Sequence, residues 1–236
     1  MKTIYYPENE RGKNDIGWLK ANFSFSFGPY YNPEKISFGA LRVLNDDVIA
    51  ANRGFGMHPH DNMEITTIVL KGALEHKDSM GNTGVINAGD VQIMSAGRGV
   101  THSEFNPLPD EDTESLQIWI YPKVRNIKPR YDQKSFGDSI KHNTFTTLIS
   151  PDASDNALVL NQDTTFVRGS FDEGKQLNYT INTPGNGAYV FVLEGRVKIE
   201  DQLLNKRDAL GVHDTASFSI DTLSATSLLI IEVPMK

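Results

Sequence analysis

The sequence predicts an all-β protein, either a β-sandwich or a barrel, from three observations. Short runs rich in Val, Ile, Thr, Tyr and Phe recur along the chain, and several of them alternate in polarity. Gly, Asn, Asp and Pro separate these runs, and no long segment carries the 3.6-residue apolar period of an amphipathic helix. A segment of the first half also resembles a segment of the second half, which indicates two units of the same kind.

The predicted strands follow one another at short intervals along the whole chain, as in sandwiches and barrels. In the two longest runs a glycine follows a Val-Leu-X sequence, where a strand is expected to turn back on itself. The predicted strands are FSFSF (23–27), GALRVL (39–44), ITTIVLKGALEHK (65–77), DVQIMSA (90–96), LQIWIYP (116–122), TFTTLIS (144–150), LNYTINT (177–183), AYVFVLEGRVKIED (188–201), ASFSI (216–220) and LLIIEVP (228–234).

The internal repeat centres on the two Val-Leu-X-Gly segments. IVLKGALEHKD (68–78) resembles FVLEGRVKIED (191–201), with the glycine at the same point in each. An Asp-led run follows each copy, GDVQIMSAG (89–97) after the first and RDALGVHDT (207–215) after the second. The chain is therefore expected to hold two related β-units.

The connection between the units is expected within KVRNIKPRYDQKSFGDS (123–139), which is charged and contains Pro and Gly. This segment has no low-complexity character, so an ordered linker is predicted. The expected division is an N-terminal unit over 1–130 and a C-terminal unit over 131–236. The second copy has NTPGNGAYVFVLEG where the first has MHPHDNMEITTIVLKG, so the histidines of the first copy have no counterpart there.

Composition limits the classes of function. The chain has 236 residues, a net charge of −7, 6 histidines and no cysteine. It lacks the basic excess typical of a non-specific nucleic-acid binder, and without cysteine it has no disulfide, thiolate metal site or cysteine nucleophile. No apolar run reaches the roughly 18 residues of a membrane span, and the N-terminus lacks the features of a secretory signal. We expect a cytoplasmic protein that binds neither nucleic acid nor membrane.

Two short segments contain closely spaced residues of types that commonly bind metals. His58 and His60 flank a proline in GFGMHPHDNME, and His102 and Glu104 stand in GVTHSEFN. Residues two apart on a strand point to the same face, so two such pairs on adjacent strands would bring three imidazoles and one carboxylate together. That donor set suits Fe, Ni, Cu, Zn or Mn. The alternatives are a polar rim beside a turn and an acid–base pair without a metal.

At these residues the chain resembles the cupin superfamily and, within it, the bacterial bicupins of the pirin family. The first cupin motif corresponds to HPHDNME with Gly72, and the second corresponds to GDVQIMSAGRGVTHSEFN with His102 and Asn106. Further pirin-like marks are WLKANFSFSF, GALRVLNDD, LEHKDSMGN and LQIWI. The resemblance is dense over about 10–130, and over 140–236 it rests on the VLEG echo and the chain length.

The resemblance implies two jelly-roll cupin domains, one metal in the first domain and none in the second, and terminal segments that cross between the units. It also implies one divalent transition metal, with iron expected first and Ni, Cu, Zn, Mn or Co as alternatives. Glu64 competes for the carboxylate role because many cupins use the first-motif glutamate, but seven residues separate it from Gly72. The ligands carried over from the pirin pattern are His58, His60, His102 and Glu104.

Two functions follow from the resemblance. The first is quercetin 2,3-dioxygenase activity, which opens a flavonol ring with O₂ and releases carbon monoxide, with Glu104 as the catalytic base. The second is a non-enzymatic redox sensor or transcription-cofactor type of binding protein, whose partner is a protein. A deep aromatic cavity with an open metal position would favour catalysis, and a closed one beside an exposed patch would favour binding. The chain is expected to be a monomer.

Other residues receive simpler interpretations. His76 in LEHKDSMGN is expected to be a solvated strand histidine, and DSMGN is expected to form a turn. Trp18, Trp119 and the FSFSF run are expected to lie in the core. The glycines of SAGRG (95–99) predict a tight turn that leads to His102.

Overall fold

The computed structural model describes residues 1–153 and 156–236, and it confirms the all-β prediction. Among the described residues, two 3₁₀ turns have defined bounds, Glu8–Glu10 and Gly137–Ser139. No helix within the described ranges is long and apolar enough to cross a membrane. The strands are β1 (Lys2–Tyr6), β2 (Gly12–Asp15), β3 (Leu19–Phe23), β4 (Leu41–Ile49), β5 (Gly54–His60), β6 (Glu64–Lys71), β7 (Ala73–Asp78), β8 (Thr83–Asn87), β9 (Asp90–Ser95), β10 (Val100–Phe105), β11 (Thr113–Ile120), β12 (Arg130–Ser135), β13 (Phe145–Ile149), β14 (Thr165–Phe171), β15 (Gln176–Thr180), β16 (Asn186–Glu194), β17 (Val197–Ile199), β18 (Gln202–Leu204), β19 (Ala209–His213), β20 (Ser217–Thr222) and β21 (Thr226–Pro234).

The first pair of sheets carries the candidate metal ligands. A seven-stranded sheet has the order β12-β9-β6-β11-β4-β3-β2, and a four-stranded sheet has the order β5-β10-β7-β8. Leu19 and Phe23 of the large sheet and Leu74 and Ile86 of the small sheet belong to one buried apolar cluster. The two sheets therefore pack face to face as a sandwich.

The second pair of sheets repeats this plan with a different interior. A six-stranded sheet has the order β1-β19-β16-β21-β14-β13, and a four-stranded sheet has the order β15-β20-β17-β18. Strand β20 pairs with β15 as β10 pairs with β5 in the first sandwich. In the second sandwich Tyr179 of β15 and Phe218 and Ile220 of β20 fill the interior as part of an apolar cluster. The two sandwiches together form the expected bicupin fold.

Two strands show how the chain is shared between the sandwiches. Strand β1 pairs with β19, from Lys2 opposite His213 to Tyr6 opposite Ala209, so the N-terminal strand belongs to the second sandwich. Strand β12 pairs with β9 of the first sandwich. The segment 123–139, expected as the linker, therefore contains a strand of the first sandwich. The division at residue 130 stays a prediction.

The largest apolar cluster lies between the two large sheets. Ile118 and Ile120 of β11 belong to the same buried cluster as Tyr189 of β16. Because alternate residues of a strand point to opposite faces, Gln117 and Trp119 of β11 point away from this core and line a cavity. Strand β11 thus separates the shared core from the cavity of the first sandwich.

The predicted turns of the internal repeat are present in both sandwiches. Gly72 lies between β6 and β7 with a φ of 75°, and Gly195 lies between β16 and β17 with a φ of 85°, a region that favours glycine. Asp90 and Asp208 each accept a hydrogen bond from a backbone N–H three residues earlier, at 2.9 and 2.8 Å. The two copies therefore use the same residue types at the same turns.

Candidate metal centre

The first half of the candidate centre lies on β5, an edge strand of the four-stranded sheet. His58 and His60 project from one face of this strand, and Pro59 between them suits an edge because it lacks a backbone donor. The Nδ1 atom of His58 lies 2.8 Å from the carbonyl oxygen of Gly56 and donates to it. In the neutral ring this leaves the lone pair of Nε2 free to bind a metal.

The second half lies on the neighbouring strand β10. The predicted tight turn precedes it, with φ values of 49° at Gly97 and 129° at Gly99. His102 lies directly opposite His58 in the β5–β10 pairing, and the centroids of the two rings are 4.4 Å apart. The pairing register shifts between His102 and Glu104, and bulges of this kind re-aim side chains beside functional sites.

The three histidines converge on one point. Among the described residues, His58, His60 and His102 form the only group of three or more potential ligands, with one nitrogen from each ring within 4.8 Å of the others. His102 is 1% exposed, and its Nε2 atom has no hydrogen-bond partner among the residues that the structure describes. A buried polar atom without a partner is costly, so this nitrogen fits a metal ligand. The group suits a divalent transition metal.

The environment keeps two of the rings neutral. Burial, with His102 and His58 nearby, lowers the pKa of His60 to about 4. Burial, with His58 and His76 nearby, lowers the pKa of His102 to about 3. Both rings are therefore neutral at pH 7, which is the form in which imidazole binds a metal.

Glu104 lies beside the histidines but outside the group of three nitrogens. The Nε2 atom of Gln117 donates to both carboxylate oxygens of Glu104 at 2.9 Å, and the hydroxyl oxygen of Thr67 lies 3.3 Å from Oε1. Gln117 and Thr67 are opposite each other in the pairing of β11 and β6. These contacts fix the carboxylate in the cavity wall, and its role as a fourth ligand stays a prediction.

Glu64, the competing carboxylate, has a different environment. It is fully buried on β6, and its Oε2 atom accepts hydrogen bonds from the Ser95 hydroxyl at 2.6 Å and from the backbone N–H of Asn161 at 3.0 Å. The carboxylate therefore ties the first sandwich to a later segment of the chain. Because Glu64 does not line the cavity, this geometry favours Glu104 for the functional carboxylate.

An open cavity of about 530 Å³ lies in front of His58, His60 and Glu104. This volume is within the range of about 300–1,000 Å³ that is usual for small-molecule sites. Every lining residue lies between positions 18 and 119, so the second sandwich contributes none of the described wall. The aromatic part of the wall consists of Trp18, Phe27, Phe55 and Trp119.

The prediction that Trp18, Trp119 and the FSFSF run lie in the core was wrong for three residues. Trp18, Phe27 and Trp119 are only partly buried; each packs on a core cluster with one side and lines the cavity with another. Phe23 and Phe25 of the same FSFSF run are fully buried, as expected. The indole of Trp119 packs edge-on against Phe27, with the ring centroids 5.2 Å apart. The core packing therefore holds the cavity wall in place.

His76 is fully buried, so the prediction of a solvated strand histidine was wrong. It lies opposite Glu104 in the pairing of β10 and β7, and its Nδ1 atom is 3.5 Å from Nδ1 of His102. The sequence did contain a signal that His76 lies beside the candidate site. His76 and Asp78 have the same two-residue spacing as the two other polar pairs of the site.

Asp47 is a further carboxyl group in the wall of the cavity. It is 7% exposed, and its Oδ1 atom has no hydrogen-bond partner among the described residues. Burial, together with the neighbouring charges of Asp46 and Glu104, raises the pKa of Asp47 to about 8. The carboxyl therefore carries a proton at pH 7.

Asp47→Asn is expected to stabilise the metal-free protein at pH 8 and to leave its stability nearly unchanged at pH 4. Between the ordinary pKa of 3.8 and the folded value of about 8, the folded chain holds a proton that the unfolded chain has released. Wild-type stability therefore falls as pH rises through this window, and the amide removes that loss. We expect a gain of about 2–4 kcal/mol at pH 8 from urea unfolding.

Asp46→Asn is the matched control for this substitution. Asp46 forms ion pairs with Arg11 at 3.4 Å and with Arg207 at 3.1 Å. Its amide variant loses both pairs and is therefore expected to be less stable than the wild type. A gain in Asp47→Asn that is equal at pH 4 and pH 8 would contradict the assignment of a buried, protonated carboxyl.

Comparison with known proteins agrees with this geometry. Residues 6–120 match the family model described as Pirin, and residues 147–233 match the quercetinase C-terminal cupin domain. A quercetin 2,3-dioxygenase of Escherichia coli (strain K12) is 42% identical over 226 residues, 96% of each chain. A pirin-like protein of Caulobacter vibrioides is 40% identical over 227 residues, which cover 96% of this chain and 97% of the relative.

A solved structure shows the same fold over the whole chain. The bacterial pirin YhhW from Escherichia coli, in complex with nickel(II), superimposes with a TM-score of 0.93 at 39% identity, and the match covers 99% of both chains. The family models, the relatives and this structure together match both sandwiches. The chain belongs to the pirin family of cupin proteins.

Proposed function

We propose that this chain is a metal-dependent dioxygenase that opens the ring of quercetin, or of a similar flavonol, with O₂ and releases carbon monoxide. The observation that carries the proposal is the aromatic-walled cavity of about 530 Å³ in which two histidines of the cluster and a carboxylate are exposed to a ligand. A cavity of this kind favours catalysis over a purely regulatory role. Relatives that carry the name quercetin 2,3-dioxygenase support the choice of substrate.

The metal is part of the proposal. We infer that one divalent transition metal is held by three imidazoles and a carboxylate, and that iron and nickel are the first two metals to test. When bound, such an ion supplies a Lewis acid that lowers the pKa of a hydroxyl and orients it. The donor set alone does not select the metal, but the relative YhhW forms a complex with nickel(II). The proposed ligands are His58, His60, His102 and Glu104.

The remaining roles follow from the residues around the cavity. The aromatic wall buries the flat rings of a flavonol by edge and face contacts. An oxygen of Glu104 accepts the proton of the flavonol 3-hydroxyl, and Gln117 orients this carboxylate by donating to both of its oxygens. Asp47 lines the same cavity, and burial raises its pKa in the metal-free chain.

The test uses protein purified without an affinity metal and loaded in turn with iron(II) or nickel(II). We expect quercetin absorbance to fall only in loaded samples with O₂ present, with one CO released for each O₂ consumed. Free metal salt without protein and unloaded protein are the controls for autoxidation of the flavonol. Unchanged absorbance in every loaded sample would overturn the proposed reaction. Light scattering on the same samples tests the expected monomer.

A further inference from the structure

Two buried polar residues, His76 and Asp78, form a row with His102 on the side of this histidine that faces away from the cavity. The side chains of His76 and Asp78 are both fully buried, and neither is part of the cavity wall. The Nδ1 atoms of His102 and His76 are 3.5 Å apart, and Nε2 of His76 lies 3.2 Å from Oδ2 of Asp78. Strand pairing sets this row, because His102 lies opposite Asp78 and Glu104 opposite His76 in the β10–β7 register.

The hydrogen bonds at Asp78 fix the direction of this row. Its Oδ1 atom accepts from the backbone N–H groups of Met80 and Asn82, and its Oδ2 atom accepts from the Asn82 side-chain amide. All these partners are donors, so Asp78 acts as an ionised acceptor and Nε2 of His76 carries the hydrogen that points at it. The turn predicted over DSMGN supplies these donors, and Gly81 within it has a φ of 93°.

The proton positions along the row then follow one from another. The two Nδ1 atoms of His76 and His102 face each other at 3.5 Å, and a ring hydrogen of His102 on Nε2 would have no partner among the described residues. The Nδ1 atom of His102 therefore donates, and its Nε2 keeps a free lone pair. That Nε2 is the buried nitrogen without a hydrogen-bond partner in the described chain. The row thus selects the tautomer that a metal ligand bonding through Nε2 requires.

We propose that His76 and Asp78 are positioning residues of the metal centre, which hold the orientation and tautomer of His102 and increase the basicity of its Nε2. Ligating histidines commonly donate their second ring nitrogen to such a partner, and loss of the partner typically weakens metal binding by about 10–100-fold. Tyr131 stacks on His76 with the ring centroids 4.8 Å apart, which fixes the plane of the His76 ring. The inference rests on the proposed metal binding and not on the flavonol reaction.

Two substitutions separate this role from simple packing. His76→Phe keeps a ring against Tyr131 but removes both nitrogens, whereas His76→Asn packs less well but offers an amide oxygen near the place of Nδ1. We expect His76→Phe to weaken nickel(II) binding by about 10–100-fold and His76→Asn to stay closer to the wild type. A merely structural role predicts the reverse order. Competition with a chromophoric chelator gives the affinities, and the ligand-field spectrum of the nickel protein is expected to change in His76→Phe.

An exposed His–Asp pair of the second sandwich provides the matched control. The Nε2 atom of His142 lies 2.8 Å from Oδ1 of Asp172. His142 bridges to Ser170 of β14, in a different sheet from β5 and β10, so His142→Phe is expected to bind nickel as the wild type does. Wild-type affinity in folded His76→Phe, or weaker binding in His76→Asn than in His76→Phe, would overturn the proposal. If His76→Phe does not fold, wild-type nickel affinity in folded Asp78→Asn overturns it instead.

The nickel titration also keeps this inference separate from the proposed reaction. If the wild type binds nickel but leaves quercetin unchanged, the proposed reaction is overturned. The comparison of the His76 variants then still tests whether His76 and Asp78 position His102. A wild-type chain that binds no divalent metal overturns the metal centre and this inference together.

Discussion

His60→Ala is expected to weaken nickel(II) binding by more than about 100-fold, because removal of a direct ligand costs more than the 10–100-fold loss typical of its outer partners. At a nickel concentration 100 times the wild-type Kd, binding stabilises the wild type by about 2.7 kcal/mol. For a chain of this length that corresponds to a rise in Tm of roughly 5–10 °C. Calorimetry with and without nickel should show this rise in the wild type and almost none in His60→Ala.

The metal-free variant gives a second readout with a defined sign. The pKa of His60 is about 4 in the folded chain and 6.5 in its ordinary range. Between these values only the unfolded chain takes up the proton, so wild-type stability falls as pH drops below about 6.5. His60→Ala removes this loss, and its stability relative to the wild type should be higher at pH 5 than at pH 7.5.

His142→Ala serves as the control for both measurements, because its exposed ring faces Asp172 on the second sandwich. It should keep the full nickel-dependent rise in Tm. A similar rise in His60→Ala would place the metal elsewhere and contradict the assignment of the cluster.

The part of the site that the sequence predicted depends on local spacing. His58 and His60, like His102 and Glu104, are two residues apart, and strand periodicity alone puts each pair on one face. The structure adds that His102 stands opposite His58 across β10 and β5. The cluster of three imidazoles could therefore be predicted from two short segments, on the assumption that they form neighbouring strands.

The missed part depends on pairing between distant strands. His76 acquires its contact with His102 only through the register of β10 with β7. Strand alternation does put Trp119 on the face of Gln117 and away from Ile118 and Ile120, but the cavity that this face lines depends on contacts with distant residues such as Phe27. Strand β1 pairs about two hundred residues further on with β19, and no local pattern around Lys2 or Tyr6 encodes that partner.

The second sandwich shows what the same scaffold becomes without ligands. Where β10 and β5 of the first sandwich bring histidines together, β20 and β15 place Phe218, Ile220 and Tyr179 in a closed apolar interior. Apolar side chains that fill an interior in this way stabilise the sandwich by close packing. In the first sandwich the polar row and the open aromatic wall replace that filling, so its interior depends more on hydrogen bonds such as those of Glu104 and Asp78.

Glu104→Gln is expected to lower flavonol turnover by about 10²–10⁴-fold, the range that a positioned general base supplies. Nickel affinity should fall by a smaller factor, because the three imidazoles remain although a neutral amide oxygen is a weaker ligand than the carboxylate. The difference between the two effects is the point of the experiment, since an amide oxygen does not take the proton of the flavonol 3-hydroxyl. Steady-state O₂ consumption with nickel-saturated protein and chelator competition measure the two quantities.

Glu64→Gln is the matched control, because it makes the same chemical change at the glutamate of the first cupin motif. Glu64 contacts Ser95 and the backbone of Asn161 rather than the cavity, and burial raises its pKa, so a neutral amide fits there. This variant should keep both nickel affinity and turnover. Loss of turnover in folded Glu64→Gln, with Glu104→Gln still active, would reverse the roles of the two glutamates. Wild-type turnover in nickel-saturated Glu104→Gln would remove the base from the proposed reaction while leaving the metal centre in place.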